Sequence, residues 1–349
     1  METACSTNNQ ERLSYLDVAK GLGILLVVLH HIVNVCNRLG LNNTTLQLLD
    51  RQNVLYCCFF MQMFFMVSGY CTNFNKPFKS FLLSRTKTLL VPFLFFGVLM
   101  LLIDYLFFDL KSIYIIVGEE KYFYVFECSW FFTALFIAEI IQCAWVKMHI
   151  NTLVQGCLWL LILLIVIYFN SVNSQYLRPF HHLNFFHYKN GLCMGLFVWL
   201  GYFVRQIKLS SVYIYIIGAL YVLLLTAFCL LKVCTPILFT HETSMLTKDI
   251  PMFLLYSVSG SAFFILISRI INSNAVLEFF GRNSLIVYGV QFFVLKLCVK
   301  VTSSFWRIEE GCSTVLFYIT IFIEALIVST LFVHIINNTS LKVLIGKNK

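Results

Sequence analysis

Ten apolar stretches recur along this chain, each long enough as a helix to cross roughly 30 Å of bilayer hydrocarbon. They cover residues 15–36, 53–73, 88–108, 127–147, 153–170, 190–206, 210–232, 250–272, 282–300 and 313–336. Composition agrees. Of 349 residues, 60% are hydrophobic and 12% charged, with a mean hydropathy of +0.84, whereas a soluble domain is roughly 25% charged. The connections are short, and no linker rich in Pro, Gly or Ser interrupts them. The expected fold is therefore an all-α integral membrane protein of about ten transmembrane helices, with residues 1–349 forming a single domain.

An even number of spans puts both termini on one face of the membrane. With the N-terminus inside, fourteen of the 25 Lys and Arg residues are cytoplasmic or close to it, among them Lys20, Lys79, Arg85, Lys87, Arg205 and Arg282. Ten of the sixteen Asp and Glu residues fall outside. The basic bias predicts cytoplasmic termini, and the net charge of +9 is concentrated on the face that meets anionic headgroups or an anionic cytosolic ligand. Nothing in this pattern points to nucleic acid. The first fourteen residues lack a basic region followed by a short apolar core, so a removable signal peptide is not expected. Thirteen cysteines without any CxxC, most of them inside apolar runs, read as small hydrophobic residues rather than bridges or metal ligands.

The first span breaks the apolar pattern. "DVAKGLGILLVVLHHIVN", residues 17–34, holds Asp17, Lys20, His30 and His31. At 100° per residue Lys20 and His31 lie about 20° apart around a helix and about 16 Å apart along it, and Asp17 shares their stripe, while His30 points about 100° away from His31. Asp17 and Lys20 can form an i,i+3 ion pair near the cytoplasmic end. His31 sits deeper, where an ionisable group usually faces a cavity or pathway.

The segments "LDVAKGLGILLVVLHH", "FFMQMFFMVSGYCTNFNKPFKSFLLSRTKTLLVPFLFF", "SWFFTALF", "WLGYFVR" and "LEFFGRNSLIVYGVQ" occur in that order between residues 13 and 291. Together they resemble the membrane acyltransferase 3 family. The resemblance implies an inner-membrane protein of about ten helices that moves an acyl group, often acetyl, from cytosolic acyl-CoA to a sugar hydroxyl of an extracytoplasmic or lipid-linked glycan, as in O-acetylation of polysaccharides. It further implies a basic residue and a histidine with ten residues between them in the first span, here Lys20 and His31, as acyl-CoA contact and catalytic group. Lys20 departs from the Arg usual in relatives. Ser68 and Gly69 match the family's Ser-Gly, Arg85 the arginine of its basic loop and Trp130 the Trp ahead of its fourth span. Gln291 stands where many relatives have His.

The chemistry supports these roles. A sugar hydroxyl attacking a thioester needs a base, and a histidine such as His31 has a suitable pKa. The developing oxyanion needs a donor, for which Ser68, Asn283 and backbone N–H groups near Gly69 are candidates. Ser68 or His31 acting as a covalent nucleophile ranks below direct transfer. Lys20, Arg85 and Lys87 can meet the donor's phosphates, with Asp17 orienting Lys20. The expected partners are acyl-CoA, a saccharide acceptor and membrane lipids, in a bacterial inner membrane, with no metal. His181, His182 and His187 share an outward loop without a carboxylate or Cys to complete a ligand set. Glu139 and Glu324 read as interhelix hydrogen-bonding partners. A transporter or flippase of a glycan or lipid intermediate is the alternative from another class, although no internal repeat or Gly/Pro-broken helix pair supports it.

Overall fold

The computed structural model describes residues 13–107, 129–171, 187–207, 211–231, 247–306 and 308–346. Its helices are α1 (Ser14–Arg38), α2 (Thr44–Cys57), α3 (Phe60–Cys71), α4 (Phe78–Arg85), α5 (Val91–Phe107), α6 (Trp130–Lys147), α7 (Thr152–Ser171), α8 (Tyr188–Ile207), α9 (Ser211–Thr226), α10 (Ile250–Ile271), α11 (Ala275–Arg282), α12 (Ser284–Phe305) and α13 (Cys312–Asn338). Among the described residues nine helical segments are long and apolar enough to span a membrane. The chain is a multi-pass, all-α membrane protein. One buried apolar cluster runs through it from Ile24 in α1 to Ile336 in α13.

α8 occupies the sixth expected span but is not among those nine. Buried Lys189 and Asn190 at its start and Arg205 in its last turn lower its hydropathy. It can carry them because it packs against α3, α6 and α7 inside the bundle, so few of its side chains need to suit lipid.

The second expected span is broken into α2 and α3 at Cys58 and Phe59, with no Gly or Pro at the break. A break at membrane depth frees carbonyls that must find partners within the protein. The Ser257 hydroxyl donates to Cys58 O at 3.0 Å, and the Tyr221 hydroxyl donates to Leu55 O. The Phe59 ring lies against Gly260, where a Cβ would collide with it. These partners come from α9 and α10, far away in sequence, which is why the break is invisible in the local pattern.

Helix starts and irregular turns have local causes. Asn43 and Asn274 cap α2 and α11 by accepting the N–H groups of Leu46 and Leu277. Between α4 and α5 the helix widens to a π turn over Thr86–Leu90, ending two residues before Pro92, which cannot donate a backbone N–H.

α1 and α11 touch backbone to backbone. A Cβ at Gly281 would collide with Asp17 O, and one at Gly21 with Leu277 O. This approach sets α11, and with it Arg282, against the first turns of α1. Gly281→Ala should push the two helices apart at a cost of about 1–3 kcal/mol. Thermal unfolding of the purified variant checks this, and an unchanged transition midpoint would refute the close contact.

Candidate functional site

The basic residues assigned to the cytoplasmic side gather at one end of the bundle. Arg205 donates to Tyr70 O and Thr72 O, Lys147 to Asn75 O, and Arg85 to Thr72 Oγ1. The Arg269 guanidinium lies over the Tyr15 ring at 5.0 Å. Three cations thus hold the end of α3 and the turn after it, where unpaired helix carbonyls favour positive charge.

On α1, Asp17 is buried and pairs with Lys20 at 3.0 Å. Its second oxygen meets Arg282 Nε at 3.3 Å, and Arg282 also pairs with Glu278 on its own helix. From sequence alone Arg282 falls near the cytoplasmic face and has no assigned role. Its position directly before Asn283 in "GRNSL" was the available signal, but only the α1–α11 contact brings it to Asp17.

His31 is half-buried farther along α1, with its ring centroid 4.4 Å from that of Phe292 in α12. His30 turns elsewhere: its Nδ1 is 3.2 Å from Cys57 Sγ, and its ring is 6.0 Å from Phe60 at the helix break. The two imidazoles remain neighbours, with centroids 4.8 Å apart.

Three separate spaces lie between the cationic end and the level of Ile24 on α1. An open groove of about 590 Å³ is lined by Lys79, Ser80, Ser84, Lys87, Thr88 and Gly346, together with Pro77 and Leu83. Next to Gly346, Ile345 borders a cavity of about 60 Å³ that also touches Arg282, Asn283 and Leu285. Leu285 in turn lines a third cavity, of about 10 Å³, with Ile24, Met61, Phe64, Phe131, Ser284 and Tyr288. Ile24 lies within about 40° of both Lys20 and His31 around α1, so the third space follows their stripe. It has room for about one water, and a larger guest must displace a wall. Unbranched Met61 is suited to moving.

The other sequence candidates occupy a separate cluster. Ser68 Oγ donates to Glu139 Oε1 at 2.7 Å, Thr72 Oγ1 to the same oxygen at 3.0 Å, and Arg85 Nε meets Glu139 Oε2 at 2.8 Å. Glu139 is fully buried. Ser68 is eight residues beyond Phe60, which adjoins His30, so it lies about 12 Å along the helix from that level. The structure therefore gathers Asp17, Lys20 and Arg282, gathers Ser68, Arg85 and Glu139, and leaves His31 apart from Ser68. Asn283 donates to Phe279 O and accepts from Asn337 at the cationic end, and Gly69 packs against Val198 O. Glu324, expected to make an interhelix bond, accepts from Thr302 at 2.7 Å. His181 and His182 lie outside the described residues; His187 is buried at the start of α8.

A family model described as an acyltransferase domain matches residues 13–334. Searches of curated proteins and of solved structures find no match. The matched region takes in the α1 stripe, the Glu139 cluster and α12 alike. The chain belongs to the acyltransferase 3 family of membrane acyltransferases.

Proposed function

We propose that this acyltransferase moves an acetyl group from cytosolic acetyl-CoA to a hydroxyl of an extracytoplasmic or lipid-linked glycan. The observation that carries this reading is the α1 stripe: a fixed cation, Lys20 on Asp17, at one end, His31 at the other, and a narrow cavity against Ile24, which lies between them along the helix. Acetyl-CoA is itself a long molecule with charge at one end and a reactive thioester at the other. Lys79 and Lys87 in the open groove and Lys20 with Arg282 deeper in offer successive cations to its phosphates. The pantetheine arm then follows Ile24 and Tyr288 toward His31, displacing Met61. Arg85, held by Glu139, orders the segment that carries Lys79 and Lys87. His31 takes the proton of the attacking hydroxyl and returns it to the departing thiolate, so transfer needs no external proton. The glycan acceptor rests on the family resemblance.

The break between α2 and α3 is the one feature that a transporter would also use. Its freed carbonyls, Leu55 O and Cys58 O, are already occupied by Tyr221 and Ser257. This favours the enzyme over an ion-coupled carrier.

The test is a titration of acetyl-CoA into nanodisc-embedded protein, paired with transfer of labelled acetyl to glycan or to water. Lys20→Met should weaken acetyl-CoA binding roughly ten- to hundredfold, the loss of a charge-assisted hydrogen bond of about 1.5–3 kcal/mol. Lys20→Arg keeps the charge and should retain most of the affinity. Matching affinities for wild type and Lys20→Met would remove Lys20 from the site.

A further inference from the structure

Gln291 is 1% exposed, and among the described residues neither its amide nitrogen nor its amide oxygen has a hydrogen-bond partner. Leaving such a group unpaired in a protein interior is destabilising, so a carboxamide with both ends unmet calls for a reason. Its place on α12 supplies one. It follows Ser284 by seven residues and Tyr288 by three, which puts it about 20° and 60° from them around the helix; both of those residues line the cavity against Ile24. The next residue, Phe292, is the one packed against the His31 ring. Gln291 is therefore a donor and acceptor unmet among the described residues, one residue along α12 from the His31 contact and about 100° around the helix from Phe292, on the flank that carries Ser284 and Tyr288.

The donors expected from the sequence have other partners, and Asn190, the other buried carboxamide with both ends unmet among the described residues, lies at the start of α8 and not on α12. Ser68 is committed to Glu139, Asn283 bonds Phe279 O and Asn337, and Gly69 is packed against α8, all toward the cationic end. We propose that Gln291 is the oxyanion donor of the transfer reaction, its Nε2–H meeting the thioester carbonyl oxygen and its Oε1 accepting the neighbouring amide N–H of the pantetheine arm. The inference rests on the acyl-CoA reading above. In the step, the acceptor oxygen bonds to the carbonyl carbon as its proton passes to His31. The carbonyl electron pair moves onto oxygen, where Nε2–H holds it. Collapse re-forms the carbonyl and breaks the C–S bond, and the thiolate takes the proton from His31. A preorganised donor aimed at this oxygen is worth far more in the transition state than in the ground state.

A structural role and a chemical one predict opposite stability results. Gln291→Met has nearly the same length and removes two unpaired groups, so the full-length protein in nanodiscs should unfold at the same or a higher temperature. Its kcat for acetyl transfer should fall roughly 10²–10³-fold, the loss typical of one oxyanion donor, with the acetyl-CoA dissociation constant changed less than about tenfold, the effect of a single neutral hydrogen bond. Gln291→His restores an N–H donor and should recover part of the rate. A Met variant with unaltered kcat overturns the proposal, as does one that loses acetyl-CoA binding while kcat is retained. A wild-type protein that neither binds nor cleaves acetyl-CoA would instead defeat the donor reading itself, before any variant is compared.

Discussion

Replacing His31 by alanine is expected to lower acetyl transfer by roughly 10²–10⁴-fold, the range supplied by a positioned general base, while acetyl-CoA still binds. Its ring packs on Phe292 beyond the cavity, about 16 Å along α1 from Lys20, so its removal leaves the cations at the other end in place. His31→Gln should behave alike despite keeping polar bulk, because an amide cannot take the proton at neutral pH. His30→Ala should retain most of the activity. Its imidazole faces Cys57 and Phe60 at the helix break and not the stripe. The contrast between adjacent histidines is the useful control, since both substitutions remove an aromatic ring from the same turn. Steady-state transfer rates on protein shown to be folded by size exclusion decide it. Equal losses from both positions, or full activity without the His31 ring, would reject the base assignment.

The second large effect concerns stability. Arg85→Met should destabilise the protein by about 3 kcal/mol, the lower end of the range for stranding a buried ion-pair partner, because Arg85 is itself 24% exposed whereas Glu139 is 0% exposed. Ser68 and Thr72 hydroxyls share the same carboxylate, but hydroxyls alone cannot neutralise it. Glu139→Gln keeps an acceptor for both and removes the charge. The double variant Arg85→Met with Glu139→Gln should therefore be more stable than Arg85→Met alone. A double-mutant cycle on thermal or denaturant unfolding measures the coupling. Additive losses would show that the pair contributes little. Loss of acetyl-CoA binding without loss of stability would show that Arg85 meets the donor directly and not through the segment that it orders.

Much of this protein follows from its sequence alone. Apolar length sets the number and type of elements, since hydrocarbon leaves a chain few ways to satisfy its backbone. The stripe of Asp17, Lys20 and His31 is legible because helical periodicity is a local property, and the ion pair between the first two is an i,i+3 contact. Interactions that join distant segments are a different matter. Arg282 reaches Asp17 because Gly21 and Gly281 let two backbones touch, and these residues are separated by some 260 positions. Glu139 read as a lone acid until α3, α4 and α6 brought Ser68, Thr72 and Arg85 to it. The break at Cys58 and Phe59 has no Gly or Pro to announce it, because the groups that make it tolerable sit on α9 and α10. In the sequence Gln291 stands out only as a departure from its relatives; that both ends of its amide are buried and, among the described residues, unmet depends on what surrounds α12. Periodicity fixes which residues share a helix face, and tertiary packing decides which faces meet.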